Sequence, residues 1–455
     1  MNNTNRKLVS RNTAIAIVIA NMIGAGVFTS LGYQAATIQS TFPLLMLWLV
    51  GGIVALCGAL SYGELAGMMP RSGGEYNYLS KIYHPAFGFL SGWISATVGF
   101  AAPVALAAMA LGRYAGSVIM PENPSQVALF IGIGVVLLVT AIHSYDVQYG
   151  SMFQKVSTAV KIILIIGFLI GGFFLTPQPQ TVNLLPQAGD WDLVFSPAFA
   201  VSLAFVSFAY SGWNASAYLA NEIKNPRLNV PISLFLGTMI VMVAYLLLNY
   251  VFLFTLSPEA YGSAQAQDFG TPLEVGYLSA NVFLGGLGGK IMAGMIALLL
   301  ISSISAMIFA GPRVTQVMGE DLSILNFFAH TNSKEIPVRA ILLQSTISII
   351  LITTASFDAI LYAIAFTLDI FTFSTVLGVI VMRIRKPNEP RPYRTFAYPL
   401  TPLIFLGATG WTMYFLFTQR TTESLVALGV ISLGIVIYFL GKPTIKESTV
   451  SEGEF

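Results

Sequence analysis

Charge is what this sequence has least of. Of 455 residues only 9% are Asp, Glu, Lys or Arg, while 55% are hydrophobic and the mean hydropathy is +0.76. Soluble proteins carry about 25% charge, so this composition excludes a water-soluble globular chain and places the protein in the lipid bilayer. Cysteine is almost absent too. The single one, Cys57, lies in an apolar stretch and rules out an intramolecular disulfide. The three histidines, His84, His143 and His330, are far apart, without metal-ligand spacing. Each reads as a loop or helix-end residue, and no metal, cofactor or nucleic-acid partner is expected. The apolar stretches hold no paired carboxylates, His/Cys cluster or Ser/His arrangement, so the chain does not read as an enzyme.

What the sequence does have is long apolar runs. A helix crosses the bilayer with about 20 apolar residues, and about a dozen such segments can be marked, giving an all-α integral membrane protein. They fall at about 12–38, 42–68, 86–116, 126–144, 150–175, 195–222, 231–256, 288–318, 338–354, 357–384, 400–418 and 424–441. The third is long enough to be tilted. Pro70-Arg71-Ser72-Gly73-Gly74-Glu75-Tyr76 reads as a turn or re-entrant connection, and 257–287 as an outer loop with short surface helices. Residues 1–11 form a short polar start with no cleaved signal peptide expected, and 442–455 a polar tail. If the N-terminus is cytoplasmic and the segments alternate, the outer side receives only Arg113, Lys290 and Arg420, and Lys161 stays within a segment. The other 18 of the 22 Lys and Arg fall inside the cell. The positive-inside rule therefore favours twelve spans with both ends in the cytoplasm of a plasma (inner) membrane.

Two of these segments carry interruptions. Met22-Ile23-Gly24-Ala25-Gly26-Val27-Phe28 sets two glycines in the middle of the first. Glycine inside a helix costs about 1 kcal/mol against alanine. Either the helix breaks there around a solute, or small residues let helices pack closely. Phe208-Ala209-Tyr210-Ser211-Gly212-Trp213-Asn214 interrupts the sixth segment, which tips the balance towards broken helices. An offset of five between the breaks suggests two five-helix halves of opposite orientation, about 12–175 and 195–384, with two further helices at about 400–441. Matching breaks in inverted halves point to a transporter site. Amides of Ala25, Gly26 and Val27, at the start of a second half-helix, suit a carboxylate. Carbonyls of Met22, Phe208 and Ser211 suit an ammonium. Together they read as a clamp for an α-amino acid backbone, involving Met22, Ile23, Gly24, Ala25, Gly26 and Val27.

On these motifs the chain resembles amino-acid permeases of the amino acid–polyamine–organocation superfamily, and is closest to the L-type branch. The resemblance also rests on Tyr62-Gly63-Glu64-Leu65, the Pro70–Tyr76 stretch, Glu222-Ile223-Lys224-Asn225-Pro226 and Gly311-Pro312-Arg313. It implies a LeuT-type fold of twelve helices with a 5+5 inverted repeat, broken helices 1 and 6, and alternating access. By similarity Phe208 gates the substrate, and Ser211 and Asn214 line the pocket. Asn214-Ala215-Ser216 has the glycosylation pattern but is read as pocket. The animal L-type exchangers join a glycoprotein through a cysteine in the outer loop after the third segment. Residues 117–125 contain none, so no covalent heavy chain is expected, only a monomer or weak oligomer.

Lys161 is the second signal. A mid-membrane lysine costs at least ~2.5–3.5 kcal/mol, and about eleven residues on either side make snorkelling a poor escape. The resemblance places it where sodium-coupled relatives hold a sodium ion, bridging the first break to a hydroxyl among Ser302, Ser303 and Ser305. Sodium-independent transport by exchange or proton coupling follows, with neutral amino acids favoured because the pocket looks poor in charge. Asp369 departs from the pattern. It is a candidate proton or cationic side-chain site, or else a structural hydrogen-bonding group. Glu64 reads as a helix-end contact, and Trp48, Trp93 and Trp411 as packing. Alternatives are a sodium-coupled or cationic amino-acid or polyamine transporter of the same fold, or a membrane amino-acid sensor.

Overall fold

A computed structural model describes residues 9–24, 26–120, 122–145, 147–263, 275–355 and 357–440. The described chain is nearly all helix, as long apolar segments in lipid must be, since backbone polar groups there have no water to bond. The first apolar segment is two helices, α1 (Arg11–Met22) and α2 (Gly26–Ala35), followed by α3 (Thr41–Met68). The connection after α3 bends and enters a short helix, α4 (Glu75–Ile82), buried along much of its length. The third segment is one long span, Pro85–Gly116, with a π turn inside it. It runs as α5 (Pro85–Ile94), a π turn at Ser95–Gly99 and α6 (Ala101–Ile119). Next come α7 (Pro124–Tyr145), α8 (Val147–Leu175) and the short α9 (Asp190–Val194).

The sixth segment is α10 (Pro197–Tyr210), a turn, one further turn of helix α11 (Ala215–Tyr218) and a 3₁₀ turn at Ala220–Glu222. Ser196 caps α10 by accepting from Phe199 N, with Pro197 in the first turn, where its missing N–H does no harm. His84 caps α5 in the same way, its Nδ1 accepting from Ala86 N at 3.1 Å. Then follow α12 (Pro226–Thr255), α13 (Pro258–Ser263), α14 (Val275–Leu284), α15 (Gly286–Asp321), α16 (Asn326–Ala329), α17 (Val338–Thr354), α18 (Phe357–Arg385), α19 (Leu400–Gln419) and α20 (Thr421–Leu440). The expected surface helices in the outer loop need one correction: α14 buries Val275, Ser279, Ala280 and Phe283 against its neighbours rather than lying on the surface.

Among the described residues, nine helices are long and apolar enough to cross a membrane. They differ in what surrounds them. The α5–α6 span is 78% buried within the protein and α20 only 17%, so the former belongs to the centre and the latter faces lipid. The centre is built by α3 against α12, α6 against α15, α1 against α12, and α10 against α2, α3, α18 and α19. Trp48 is fully buried and donates Nε1 to Gln34 Oε1 at 3.2 Å, Trp93 donates to the Val430 carbonyl at 3.0 Å, and Trp411 packs on Phe199.

Ion pairs gather at one end of the bundle. Glu64, at the end of α3, accepts from Arg383 at 2.7 Å, from Arg391 at 3.2 Å and from the Thr395 amide at 2.7 Å. Arg71 and the Tyr76 hydroxyl both reach Asp321, each at 2.8 Å. Burial and the Asp321 carboxylate push the Tyr76 phenol up, so it stays a neutral donor.

Candidate functional site

The site grows from the two interruptions. The helix α1 stops because Ile23 turns extended (φ −74°, ψ 97°) after its amide closes the last helical bond to Ile19 O. Chain direction resumes as helix at Gly26. In α10 the stop is at Tyr210. Ser211 is extended and Gly212 sits at φ +92°, a conformation open to glycine and strained for other residues.

These two breaks face each other. A β-carbon on Gly212 would stand 3.0 Å from the Asn21 carbonyl carbon, and one on Gly26 would stand 2.8 Å from Ala209 Cα. Close packing is therefore the reason for Gly26, alongside any role of its amide. Gly24 is different: a β-carbon there would have Ser303 Oγ as its nearest neighbour at 3.8 Å. Tyr245 of α12 ties the breaks together, its one hydroxyl proton shared between Met22 O at 2.7 Å and Ala209 O at 3.0 Å.

That bond amends the clamp read from sequence. The Met22 carbonyl already accepts from Tyr245, and the Phe208 carbonyl accepts from Ser211 N at 3.0 Å. Each carbonyl keeps a second lone pair for a ligand. Ala25 lies outside the described residues. Val27 is at the start of α2, where the first amides have no acceptor within the helix.

Lys161 lies completely buried on α8. Its Nζ donates to Ala20 O at 3.0 Å, to Ser303 Oγ at 2.9 Å and to Ile23 O, which uses all three ammonium donors. Ser303 also donates to Ile23 O at 2.7 Å. Of the three serines named from sequence, only Ser303 meets the lysine. Ser305 Oγ bonds His143 Nε2 at 2.8 Å, and Ser302 Oγ is buried with no hydrogen-bond partner among the described residues. The reason is register: consecutive residues on α15 project about 100° apart, so only one of them can face the break.

A cavity of about 90 Å³ opens between the breaks, enough for several waters. Asn21, Phe208, Ser211, Gly212 and Asn214 line it, and a smaller chamber next to it touches Met22, Gly24, Gly26 and Ser303. Phe208 belongs to the same buried hydrophobic cluster as Ile364 and Ala365 of α18. Ser95 and Gly99 of the π turn add to the wall, in line with the use of such turns at functional sites.

The expectation of a cavity poor in charge is corrected, because both Glu75 and Asp369 line it. Glu75 was not picked out as a site residue from the sequence. Its Oε1 accepts from Tyr62 at 2.7 Å and from Asn214 Nδ2 at 3.0 Å, and Oε2 from Ser91 at 3.5 Å. The signal available was Gly73-Gly74, whose positive φ values turn the chain inward just before Glu75.

A multi-helix membrane protein whose two interrupted helices enclose a cavity, with a buried lysine bound to one interruption, has the architecture of a solute transporter. The comparisons specify which kind. The chain belongs to the amino acid permease family, whose family model matches residues 9–440. It is 26% identical to the b(0,+)-type amino acid transporter 1 of Mus musculus over 440 residues, covering 96% of this chain and 88% of that one. It is 26% identical to the large neutral amino acids transporter small subunit 2 of Mus musculus over 443 residues, covering 96% and 81%. To the serine/threonine exchanger SteT of Bacillus subtilis (strain 168) it is 26% identical over 431 residues, covering 94% of each. The protein is thus a multi-pass membrane permease for amino acids.

Proposed function

We propose that this permease exchanges α-amino acids across the plasma membrane by alternating access without sodium. The carrying observation is Lys161, whose ammonium bonds Ala20 O, Ile23 O and Ser303 Oγ. A fixed cation bound to backbone carbonyls beside the first break takes the place that a sodium ion would otherwise fill. The substrate's carboxylate is held, in our reading, by the amides of Ala25, which lies outside the described residues, and of Gly26 and Val27, which open α2. Its ammonium is held by the Met22, Phe208 and Ser211 carbonyls, with Phe208 as gate and Asn214 in the wall. Neutral amino acids fit this clamp because it recognises only the backbone.

The proposed architecture is a LeuT-type fold with a 5+5 inverted repeat, residues about 12–175 and 195–384, then two helices at about 400–441. Adding α1–α2, α10–α11 and α17 to the nine long apolar helices gives twelve spans, with both termini in the cytoplasm. The absence of cysteine from 117–125 and the burial of Cys57 support a monomer or weak oligomer without a covalent heavy chain.

Proteoliposomes loaded with an unlabelled amino acid test the reading. Labelled amino acid should enter equally fast with sodium or choline outside, and more slowly into empty vesicles. Strict dependence on sodium overturns the assignment of Lys161.

A further inference from the structure

Asp369 is the ionisable group that the clamp and the Lys161 bridge leave unused. Its Oδ2 is buried and has no hydrogen-bond partner among the described residues. Thr372 Oγ1 donates to the Asp369 backbone carbonyl at 3.3 Å, not to its carboxylate. Asp369 lines the cavity that also touches Asn21, Ser211 and Gly212 at the two breaks. The other carboxylate of that cavity, Glu75, is already engaged by Tyr62, Asn214 and Ser91. No Lys, Arg or His is among the lining residues.

Register on α18 sets where Asp369 stands. Ile364, Ala365, Leu368, Asp369 and Thr372 all line the cavity and so share one face of the helix. Phe208 shares a buried cluster and the cavity wall with Ile364 and Ala365. Asp369 is one turn further along, about 6 Å up the helix axis. An amino acid held at the breaks, with its side chain passing Phe208, therefore meets Asp369 after a chain of several carbons. An ionised carboxylate at membrane depth is costly until a cation joins it, and two carboxylates in one cavity draw cations in.

We propose that Asp369 is the recognition group for a positively charged side chain, so that amino acids with a terminal ammonium or guanidinium are substrates alongside neutral ones. This substrate class rests on the permease reading above.

The test uses the full-length protein in serine-loaded liposomes, with uptake of labelled serine competed by external lysine or norleucine, and by arginine or citrulline. Each pair differs chiefly in the terminal charge. Lysine should inhibit at about tenfold or more lower concentration than norleucine, as one charge-assisted hydrogen bond allows. Asp369→Asn should bring the two to within about threefold of each other, and Asp369→Glu should retain the preference. The proposal is overturned if lysine is no better than norleucine in the wild type, or if Asp369→Asn keeps the ratio. It is equally overturned if Asp369→Asn loses only uptake driven by a pH gradient, which would make Asp369 a proton carrier. Should the wild type exchange no serine at all, the exchange reading fails separately. Thermal stabilisation of the purified wild type by lysine against norleucine then decides the side-chain site.

Discussion

Gly26 lies so close to Ala209 that a β-carbon added to it would stand 2.8 Å from both Ala209 Cα and Cβ. The second half of the first broken helix thus rests directly on the end of α10, and the cavity between the breaks depends on that contact. Gly26→Leu is expected to abolish substrate binding, and Gly26→Ala to cut initial exchange rates about tenfold or more, because overpacking here costs ~1–3 kcal/mol. Gly24→Ala, with 3.8 Å of clearance to Ser303 Oγ, should lose less than Gly26→Ala. Rates per amount of protein in proteoliposomes give the comparison, and equal losses would count against the contact.

Lys161→Ala removes three hydrogen bonds at once and leaves the Ala20 carbonyl without that donor. Exchange should slow about ten- to a hundredfold, the worth of one of these charge-assisted bonds at ~1.5–3 kcal/mol, while the protein still reaches the membrane. Wild-type uptake in this variant would show that the lysine is not part of the transport cycle.

Tyr245 couples the two breaks through bonds of 2.7 Å to Met22 O and 3.0 Å to Ala209 O. Tyr245→Phe keeps the ring and loses only the hydroxyl, so its cost should be about 1–2 kcal/mol. The expected signature is a lower melting temperature together with weaker substrate binding. A fall in melting temperature with unchanged binding would place the hydroxyl in structure alone.

Asp321 holds the loop before α4, through Arg71, and the first turn of α4, through Tyr76, to the end of α15. The Arg71 pair is partly exposed, 40% and 32%, so its worth in stability is about 1 kcal/mol or less. Asp321→Asn should therefore leave the melting temperature nearly unchanged yet loosen this end of the bundle. In a Cys57→Ala background, Ser95→Cys places a thiol on the cavity wall. Asp321→Asn should raise its labelling rate about fivefold, within the worth of one exposed pair. An unaltered rate would mean that this contact does not control access.

Much of the fold is legible in the sequence alone. Apolar runs marked the long helices because lipid forces the backbone to satisfy itself within each helix, and the glycine-bearing motifs at Gly24–Gly26 and Ser211-Gly212 coincide with the two interruptions. Lys161 stood out because a charge at that depth is costly whatever surrounds it. The sequence could not choose among Ser302, Ser303 and Ser305, since which of three neighbours faces the break depends on the rotation of α15. Nor could it bring Glu75 into the cavity, or give Met22 O to Tyr245, 223 residues away. Local composition decides which segments enter the membrane and where a helix gives way. Which polar atoms then meet across distant helices depends on packing angle and register, and only the assembled bundle specifies those.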